Sequence, residues 1–339
     1  MAVAWFFMKK NRKKILVTGG AGYIGSHTAK ELSLAGYEPY VLDNFSTGHH
    51  WAVKWGEFIE ADLLDKKGLI QFLEENKPEA IIHFAASSLV GESYKNPITY
   101  FNNNVIGTLN LLEAMQVAGI DNIVFSSSCA IYGIPNSSPI PDDHEANPIS
   151  PYGESKHIIE KVLRWYSEIY NLKYIALRYF NAAGADPDNE IGEAHDPETH
   201  LIPLAVDVAL GKKEYLDIYG VDYPTDDGTA VRDYVHVKDL AIAHVSAVSY
   251  LISGGESNNI NLGSGIGYSV REIISEINKV SGNEITFYEK ERRKGDPAIL
   301  IADNNKAKTI LNWEPKYSAL NEIIKTAYNW HVSFDSLDK

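Results

Sequence analysis

The sequence is poor in cysteine, in long apolar runs and in positive charge, and each shortage excludes a class of protein. The single Cys129 cannot form an intramolecular disulfide, which excludes a disulfide-stapled scaffold and favours a reducing compartment such as the cytosol. No run of 18 apolar residues occurs, so no membrane-spanning helix is predicted. Lysine and arginine number 31 against 45 aspartate and glutamate, a formal net charge of -14. That negative net charge disfavours nucleic acid as a partner. Any phosphate ligand must be held by groups of a local site that attract anions despite the net charge.

The first residues, Met1 to Phe7, are apolar, and a basic run follows them at residues 9–14. A signal peptide has the opposite order, with its positive charges first. We therefore interpret residues 1–12 as an N-terminal extension of a cytoplasmic protein, with translation starting at Met1 or at Met8.

Short apolar runs alternate with helical patterns in the first half of the chain, which is typical of βαβ units and a parallel sheet. The predicted strands are residues 14–18, 40–43, 58–61, 80–85, 122–126 and 174–179. The predicted helices are residues 24–34, 67–76, 105–118 and 155–170. Residues 182–230 are rich in Gly, Asp, Pro and Asn, with one clear helix at 203–210, and are predicted to be ligand-holding loops. A strand at 259–263 is predicted to rejoin the first sheet. The predicted fold class is α/β, a doubly wound parallel-sheet Rossmann domain with a smaller, discontinuous α/β substrate domain.

A glycine-rich turn follows the first predicted strand, in the sequence Lys14-Ile-Leu-Val-Thr-Gly-Gly-Ala-Gly-Tyr-Ile-Gly25. Gly20, Gly22 and Gly25 fit the G-x-G-x-x-G fingerprint, in which glycine allows positive φ and close approach of a helix N-terminus to a pyrophosphate. Asp43 ends the next strand, where a carboxylate accepts from ribose hydroxyls and repels a 2′-phosphate. The turn therefore predicts NAD in preference to NADP. Asp62, after the third strand, is either an adenine contact or a helix cap.

Tyr152 and Lys156 lie four residues apart in a helix that begins at Ser150-Pro151, so they share one face. Lowering a phenol pKa from about 10 to neutrality requires roughly 4 kcal/mol. One ammonium about 4 Å away supplies on the order of 4 kcal/mol at an effective dielectric constant of about 20. The pair thus predicts removal of a hydroxyl proton while hydride leaves the same carbon. Ser128 ends an upstream apolar strand and is predicted to hydrogen-bond the same hydroxyl.

Several motifs occur together in an order that is typical of one family. They are Thr18-Gly-Gly-Ala-Gly-Tyr-Ile-Gly25, Phe84-Ala-Ala86, Asn103-Asn104-Val105-x-Gly107-Thr108, Ser126-Ser-Ser-x-x-x-Tyr132-Gly133, Tyr152-x-x-x-Lys156, Arg178-Tyr-Phe-Asn181 and Tyr223-Pro-Thr-x-Asp-Gly-Thr-x-Val-Arg-Asp-Tyr234. From about residue 13 to 331 the chain resembles the UDP-glucose 4-epimerase branch of the extended short-chain dehydrogenase/reductase family. The last motif discriminates most, whereas the glycine turn indicates only the superfamily.

The resemblance implies reversible 4-epimerisation of UDP-glucose and UDP-galactose through a 4-keto intermediate, with NAD held tightly. It implies an NAD-binding Rossmann domain at 13–181 and a mostly UDP-sugar-binding domain at 182–335. In the implied roles Tyr152 is the base, Lys156 lowers its pKa and contacts the nicotinamide ribose, and Ser128 shares the proton path. The implied cofactor contacts are Gly19, Gly20, Gly22, Tyr23, Ile24, Gly25, Asp43, Asn44, Asp62, Leu63, Phe84, Ala85, Asn103, Ser126, Tyr152, Lys156 and Tyr179. The implied substrate contacts are Ser128, Tyr152, Asn181, His200, Leu201, Asp217, Tyr219, Arg232, Arg293, Asp296 and Leu300, with the strand at 217–219 bordering the uracil.

Three positions depart from the family pattern. Ser88 stands where some members have a lysine beside the cofactor. His200 replaces a common asparagine next to the diphosphate, where a neutral imidazole can still donate. Leu300 falls at the position that gates the sugar 2-substituent and is neither bulky nor small, so acceptance of N-acetylated sugars stays open.

Other functions are weighed against this interpretation. A 4-epimerase for UDP-GlcNAc and UDP-GalNAc, or a bifunctional one, is the main alternative. A sugar-nucleotide 4,6-dehydratase shares the first half-reaction but needs an Asp-Glu pair where Cys129 and Ala130 stand. A non-catalytic NAD-sensing protein is disfavoured because the Ser, Tyr and Lys are all present. The family implies a homodimer, through helices 105–118 and 155–170, although core packing explains their apolar patterns equally well. No metal site and no membrane partner is predicted.

Overall fold

The computed structural model describes residues 12–293 and 295–337, and the predicted N-terminal extension lies outside them apart from Arg12. The described chain forms two compact units. Unit 1 contains the described residues up to Ser127, then Ser150–Leu177 and His244–Asn259. Unit 2 contains Ser128–Ile149, Arg178–Ala243 and the described residues from Ile260 onward. The domain boundary placed at residue 181 from the sequence stays a prediction.

The strands are β1 Lys14–Thr18, β2 Glu38–Asp43, β3 Glu57–Glu60, β4 Ala80–His83, β5 Asn122–Ser128, β6 Lys173–Tyr179, β7 Asn181–Ala183, β8 Leu216–Tyr219, β9 Val231–His236, β10 Asn258–Leu262, β11 Gly267–Ser269, β12 Phe287–Lys290 and β13 Ile299–Leu300. The α-helices are α1 Tyr23–Leu34, α2 Lys66–Asn76, α3 Val90–Ser93, α4 Pro97–Tyr100, α5 Gly107–Ala118, α6 Pro151–Tyr170, α7 Leu201–Ala209, α8 Val237–Ile252, α9 Val270–Ser281, α10 Asn305–Leu311 and α11 Leu320–Leu337. A π-helical segment, Phe101–Ile106, precedes α5, and 3-10 turns lie at His50–Ala52 and Cys129–Tyr132.

In the described residues, seven strands form one sheet in the order β10-β6-β5-β4-β1-β2-β3. β1 pairs in parallel with β2 on one side and with β4 on the other. The chain therefore reverses its direction of winding at β1, and ligands of such sheets bind at the carboxyl ends of the strands beside that switch point. The predicted α/β class and parallel sheet are confirmed. β10, where a strand was predicted to rejoin the sheet, lies at its edge beside β6.

Helices α2, α5 and α6 cover the sheet of unit 1. Their leucines and isoleucines, among them Leu73, Leu111 and Ile159, bury against Leu16 and Ile123 of β1 and β5. Full burial of each such side chain contributes roughly 1.5–3 kcal/mol. Strands buried in this way read as continuous apolar runs, which is why the sequence located them well.

Unit 2 has its own core. Helices α7, α9 and α11 pack on one another through residues such as Val206, Ile273 and Ile324. Strand β9 lies between β11 and β13 and also pairs with β7, and β8 pairs with β12. α9 begins with a capping box in which the Ser269 hydroxyl accepts from Glu272 N–H and the Glu272 carboxylate accepts from Ser269 N–H. No helix in the described part of the chain is long and apolar enough to cross a bilayer.

Candidate active site

The turn after β1 depends on two close approaches of backbone. Gly19 has φ 71°, and a Cβ there would lie 2.6 Å from the Ala85 nitrogen after β4. A Cβ at Gly25 would overlap the carbonyl oxygen of Gly19. Gly22 N–H donates to that same carbonyl at 3.2 Å. The required positive φ thus belongs to Gly19 and not, as the fingerprint suggested, to Gly20, Gly22 or Gly25.

Helix α1 begins directly after this turn, with Gly22 as its N-cap, and among the described residues no side chain caps it. Its first turn holds Tyr23 and Ile24 and carries no acidic residue, so its N-terminal N–H groups suit an anion. The Asp43 carboxylate, which is nearly buried, accepts from Ala21 N–H and from Phe45 N–H, both at 2.9 Å. Asp43 therefore holds the glycine turn against the end of β2, and its ribose contact stays a prediction.

Asp62 does not cap α2. Its carboxylate accepts from Leu64 N–H at 2.8 Å and from the Asn44 side chain at 2.9 Å, whereas Asp65 is the N-cap of α2 and accepts from Gly68 N–H. The helix-cap alternative for Asp62 is therefore wrong. The remaining predicted cofactor residues are Leu63 before α2, Phe84 and Ala85 after β4, Asn103 in the π-helical segment, Ser126 in β5 and, in unit 2, Tyr179 at the end of β6.

Tyr152 and Lys156 lie on the first turns of α6, which Ser150 caps by accepting from Gly153 N–H at 3.1 Å. Lys156 is 2% exposed, and its ammonium donates to the Ser126 carbonyl at 2.7 Å. The same nitrogen lies 5.8 Å from the centre of the Tyr152 ring, so the predicted shared face is confirmed. Burial lowers the pKa of Lys156 to about 7.

The distance sharpens the energetic argument for the base. The 5.8 Å separates the Lys156 nitrogen from the centre of the Tyr152 ring, and two unit charges at that distance attract by about 3 kcal/mol at a dielectric constant of about 20. The sequence-based figure assumed a closer approach.

Two buried networks beside this pair were not predicted. The Asn104 side chain donates to Ser155 on α6 and accepts from Ser87 N–H, so it ties α6 to the loop after β4. The position of Asn104 inside the motif Asn103-Asn104-Val105-x-Gly107-Thr108 was the only sequence signal for this contact. His83, at the end of β4, bonds Thr18 at 2.7 Å and Thr108 at 2.8 Å. Its burial and Lys156 together lower the pKa of His83 to about 3, so it is neutral.

Ser128 and Cys129 open unit 2. Ser128 is nearly buried, and its hydroxyl accepts from Ala130 N–H at 3.1 Å, which leaves its proton to be donated. Burial raises the pKa of the Cys129 thiol to about 12. A thiol of that pKa and an alanine at 130 cannot serve as the acid and base of a dehydratase.

Unit 2 also gathers several predicted substrate residues around Asp296. Arg232 donates to the Asp296 carboxylate at 2.5 Å and to two backbone carbonyls. Tyr223 donates to the other Asp296 oxygen at 3.4 Å. The guanidinium of Arg293 stacks on the Tyr219 ring, 4.2 Å from its centre. The arrangement offers two planar cations and an aromatic face, which suits a nucleoside diphosphate.

Other polar residues of the motif at 223–234 bond to neighbouring parts of unit 2. Asp233 is fully buried and accepts from Ser264, Gly265 and Ala302 backbone N–H groups. Asp227 accepts from the Thr229 backbone N–H and from the Ser269 hydroxyl. The most discriminating stretch of the sequence therefore mainly fixes the backbone that presents Arg232.

The other predicted substrate residues are distributed over unit 2. Asn181 in β7 donates to the Asp233 carbonyl, and Asp217 in β8 pairs with Lys290 at 3.5 Å. Leu300 in β13 is half-buried against a core cluster that contains Phe180 and Ala302. Leu201 begins α7, and His200 is its N-cap. His200 is also bound to Glu193 at 2.6 Å. Burial lowers the pKa of His200, but Glu193 and Glu198 raise it by more, so the net pKa is raised.

Comparison with known proteins decides the family. A family model described as GDP-mannose 4,6 dehydratase matches residues 16–326. A UDP-glucose 4-epimerase of Rhizobium meliloti (strain 1021) is 53% identical over 94% of this chain and 96% of its own length. The chain belongs to the UDP-glucose 4-epimerase family.

Solved structures of the UDP-glucose 4-epimerase family agree with this assignment. The enzyme of Brucella ovis, crystallised with NAD, is 51% identical with a TM-score of 0.92, over 94% of this chain and 98% of that one. The UDP-Glc/GlcNAc 4-epimerase of Campylobacter jejuni is 42% identical with a TM-score of 0.83, over 95% and 99%. The resemblance stated from the motifs is confirmed.

Proposed function

We propose that this chain catalyses the reversible 4-epimerisation of UDP-glucose and UDP-galactose through a 4-keto intermediate, using tightly bound NAD. The observation that carries the proposal is the placement of Tyr152 and Lys156 on one face of α6, with the ammonium of Lys156 fixed on Ser126. The family assignment supports it, because its relatives carry that name.

The residues of unit 1 fit NAD. The close backbone contacts at Gly19 and Gly25 leave no room for a Cβ, and α1 starts with neither an acidic residue nor a side-chain cap in the described chain. These features would hold the pyrophosphate, and Asp43 would hold the adenosine ribose. When bound, NAD would supply the hydride acceptor and donor for oxidation and re-reduction at C4 of the sugar.

The chain's own contribution is proton transfer and orientation. Tyr152 takes the proton of the sugar 4-hydroxyl at its phenolic oxygen, and Lys156 favours the phenolate electrostatically. Ser128 is assigned a supporting part in the proton path through its hydroxyl proton. Asn104 holds Ser155, and so the first turns of α6, in position.

Unit 2 supplies the proposed UDP-sugar contacts. Arg232 and Arg293 would balance the diphosphate charge, and Tyr219 would border the uracil. A 4,6-dehydratase gains no support, because neither Cys129 nor Ala130 is an acid or base.

The direct test incubates purified protein with UDP-galactose and no added NAD⁺, and measures UDP-glucose. We expect product, because the cofactor is carried by the protein. Tyr152→Phe should lose most of the turnover while retaining bound NAD, and Tyr37→Phe, in the loop after α1, serves as the control. Absence of product from protein whose bound NAD has been confirmed would overturn the proposal.

We also propose that the protein is a cytosolic homodimer. Apolar side chains lie exposed on the π-helical segment and on α6, including Ile106 at 44%, Trp165 at 53% and Ile169 at 62%. Exposed apolar residues on these two elements, which the family resemblance assigned to the dimer contact, support an interface there. Trp165→Glu should halve the mass measured by light scattering, whereas Leu34→Glu, at an exposed leucine that ends α1, should not. The free Cys129 thiol supports the compartment, which cell fractionation tests.

A further inference from the structure

A loop of unit 2 brings four potential metal ligands together. It lies between β7 and α7 and has the sequence Glu193-Ala-His195-Asp-Pro-Glu198-Thr-His200. One ligand atom from each of the two glutamates and two histidines lies within 4.8 Å of all the others. Two of the four side chains, Glu193 and Glu198, are largely shielded from solvent.

The spacing of these atoms is that of a coordination shell. His195 Nδ1 lies 3.2 Å from Glu193 Oε1 and 3.5 Å from Glu198 Oε2. His200 Nδ1 lies 3.4 Å from Glu198 Oε1 and 2.6 Å from Glu193 Oε1. Tetrahedral bonds of about 2.1 Å place neighbouring ligands about 3.4 Å apart. Three of these four nitrogen–oxygen distances lie within about 0.2 Å of that value, and the Glu193–His200 distance is about 0.8 Å shorter. Glu198 reaches the two histidines through different carboxylate oxygens.

The surrounding structure holds the ligands in place. The Glu193 side chain is 5% exposed, and its carbonyl accepts from the indole N–H of Trp330 at 2.9 Å. A Cβ at Gly192 would overlap the same indole ring, so the loop is seated on Trp330. Glu198 Oε1 accepts from Thr199 N–H and His200 N–H, at 2.7 and 2.8 Å. Fixed outer contacts of this kind orient metal ligands before the ion arrives.

We propose that Glu193, His195, Glu198 and His200 bind one divalent transition-metal ion of the zinc type. Two imidazole nitrogens and two carboxylate oxygens suit Zn²⁺, whereas Mg²⁺ and Ca²⁺ prefer oxygen alone. No metal site was predicted from the sequence, and this proposed site differs from that prediction. It is independent of the epimerase assignment.

The same unit provides a matched control. Asp186, Asp188 and Glu190 also lie close together, but they offer only carboxylate oxygens and no imidazole nitrogen. Asp188→Asn should leave zinc binding unchanged, because the histidine-containing loop is untouched.

The test titrates ZnCl₂ into the NAD-loaded chain by calorimetry, without UDP-sugar because His200 is also a predicted substrate contact. We expect one ion per chain with a micromolar or tighter dissociation constant, and a visible absorption band when Co²⁺ is used instead. His195→Asn and Glu198→Gln should each weaken binding by at least about tenfold, the lower end of what an outer-shell change costs.

Circular dichroism establishes that both variants are folded. Failure of the wild-type chain to bind Zn²⁺ stoichiometrically would overturn the proposal whatever the variants do. Equal affinity in the wild type and both ligand variants would also overturn it, because the ion would then lie elsewhere.

Discussion

Replacing His83 by glutamine tests how the buried centre of unit 1 responds to acid. His83 is 1% exposed and bonds Thr18 and Thr108 through its two ring nitrogens. Burial and the neighbouring Lys156 lower its pKa from 6.5 to about 3. Glutamine can keep a hydrogen bond to a threonine without taking up a proton at these pH values.

The direction in which folding stability changes with pH follows from proton linkage. Below pH 6.5 the unfolded chain binds a proton at His83, and the folded chain does not until about pH 3. The stability contribution of neutral His83 is therefore complete above pH 6.5 and is lost as the pH falls. Between pH 7.5 and 5.0 the loss is about 2 kcal/mol, since each unit of pH is worth about 1.4 kcal/mol in that window.

The assay is urea unfolding at pH 7.5 and 5.0 with saturating NAD, followed by circular dichroism. His83→Gln should be less stable than the wild type at pH 7.5 but should lose about 2 kcal/mol less on acidification. His50→Gln, at an exposed histidine of the same unit, should keep the wild-type pH sensitivity. If wild type and His83→Gln lose the same stability between the two pH values, the argument is refuted.

Three further substitutions test the proposed sites. Gly25→Ala places a methyl group against the Gly19 carbonyl, so the purified protein should carry at least about tenfold less NAD, measured by chromatography after denaturation. Arg232→Lys keeps the charge but loses the planar fork that joins Asp296 and two carbonyls, so KM for UDP-galactose should rise about tenfold with kcat nearly unchanged. Leu300→Tyr should lower the ratio of UDP-GlcNAc to UDP-glucose turnover, and an unchanged ratio would remove Leu300 from the sugar gate.

Local sequence predicted the sheet well because buried parallel strands are apolar along their whole length. β1 matches its predicted range, and α6 begins at Pro151, directly after its N-cap Ser150 and four residues before the predicted bound at 155. The helix predicted at 105–118 is less regular, since a π-helical segment precedes Gly107. Hydrophobic periodicity cannot distinguish the two hydrogen-bonding patterns over six residues.

Side-chain partners were harder to predict, because they are set by residues far apart in the chain. Asp62 was compatible with a helix cap until the structure showed Asp65 in that role. The positive φ of the glycine turn lies at Gly19, where β4 approaches, and only the pairing of β1 with β4 creates that constraint. A sequence motif shows which residues are present, but not which backbone segments they contact in the folded chain.

The sequence by itself determined the α/β class, the order of strands and helices, the dinucleotide fingerprint and the Tyr152–Lys156 pair. These depend on periodicity and spacing along one segment, which a sequence displays directly. Only the tertiary structure decided that Lys156 is buried on Ser126, that His83 is neutral, and that Glu193 and Glu198 meet two histidines. Burial and the approach of charges set the pKa of a group and the ligands around an ion, and both arise when the chain folds upon itself.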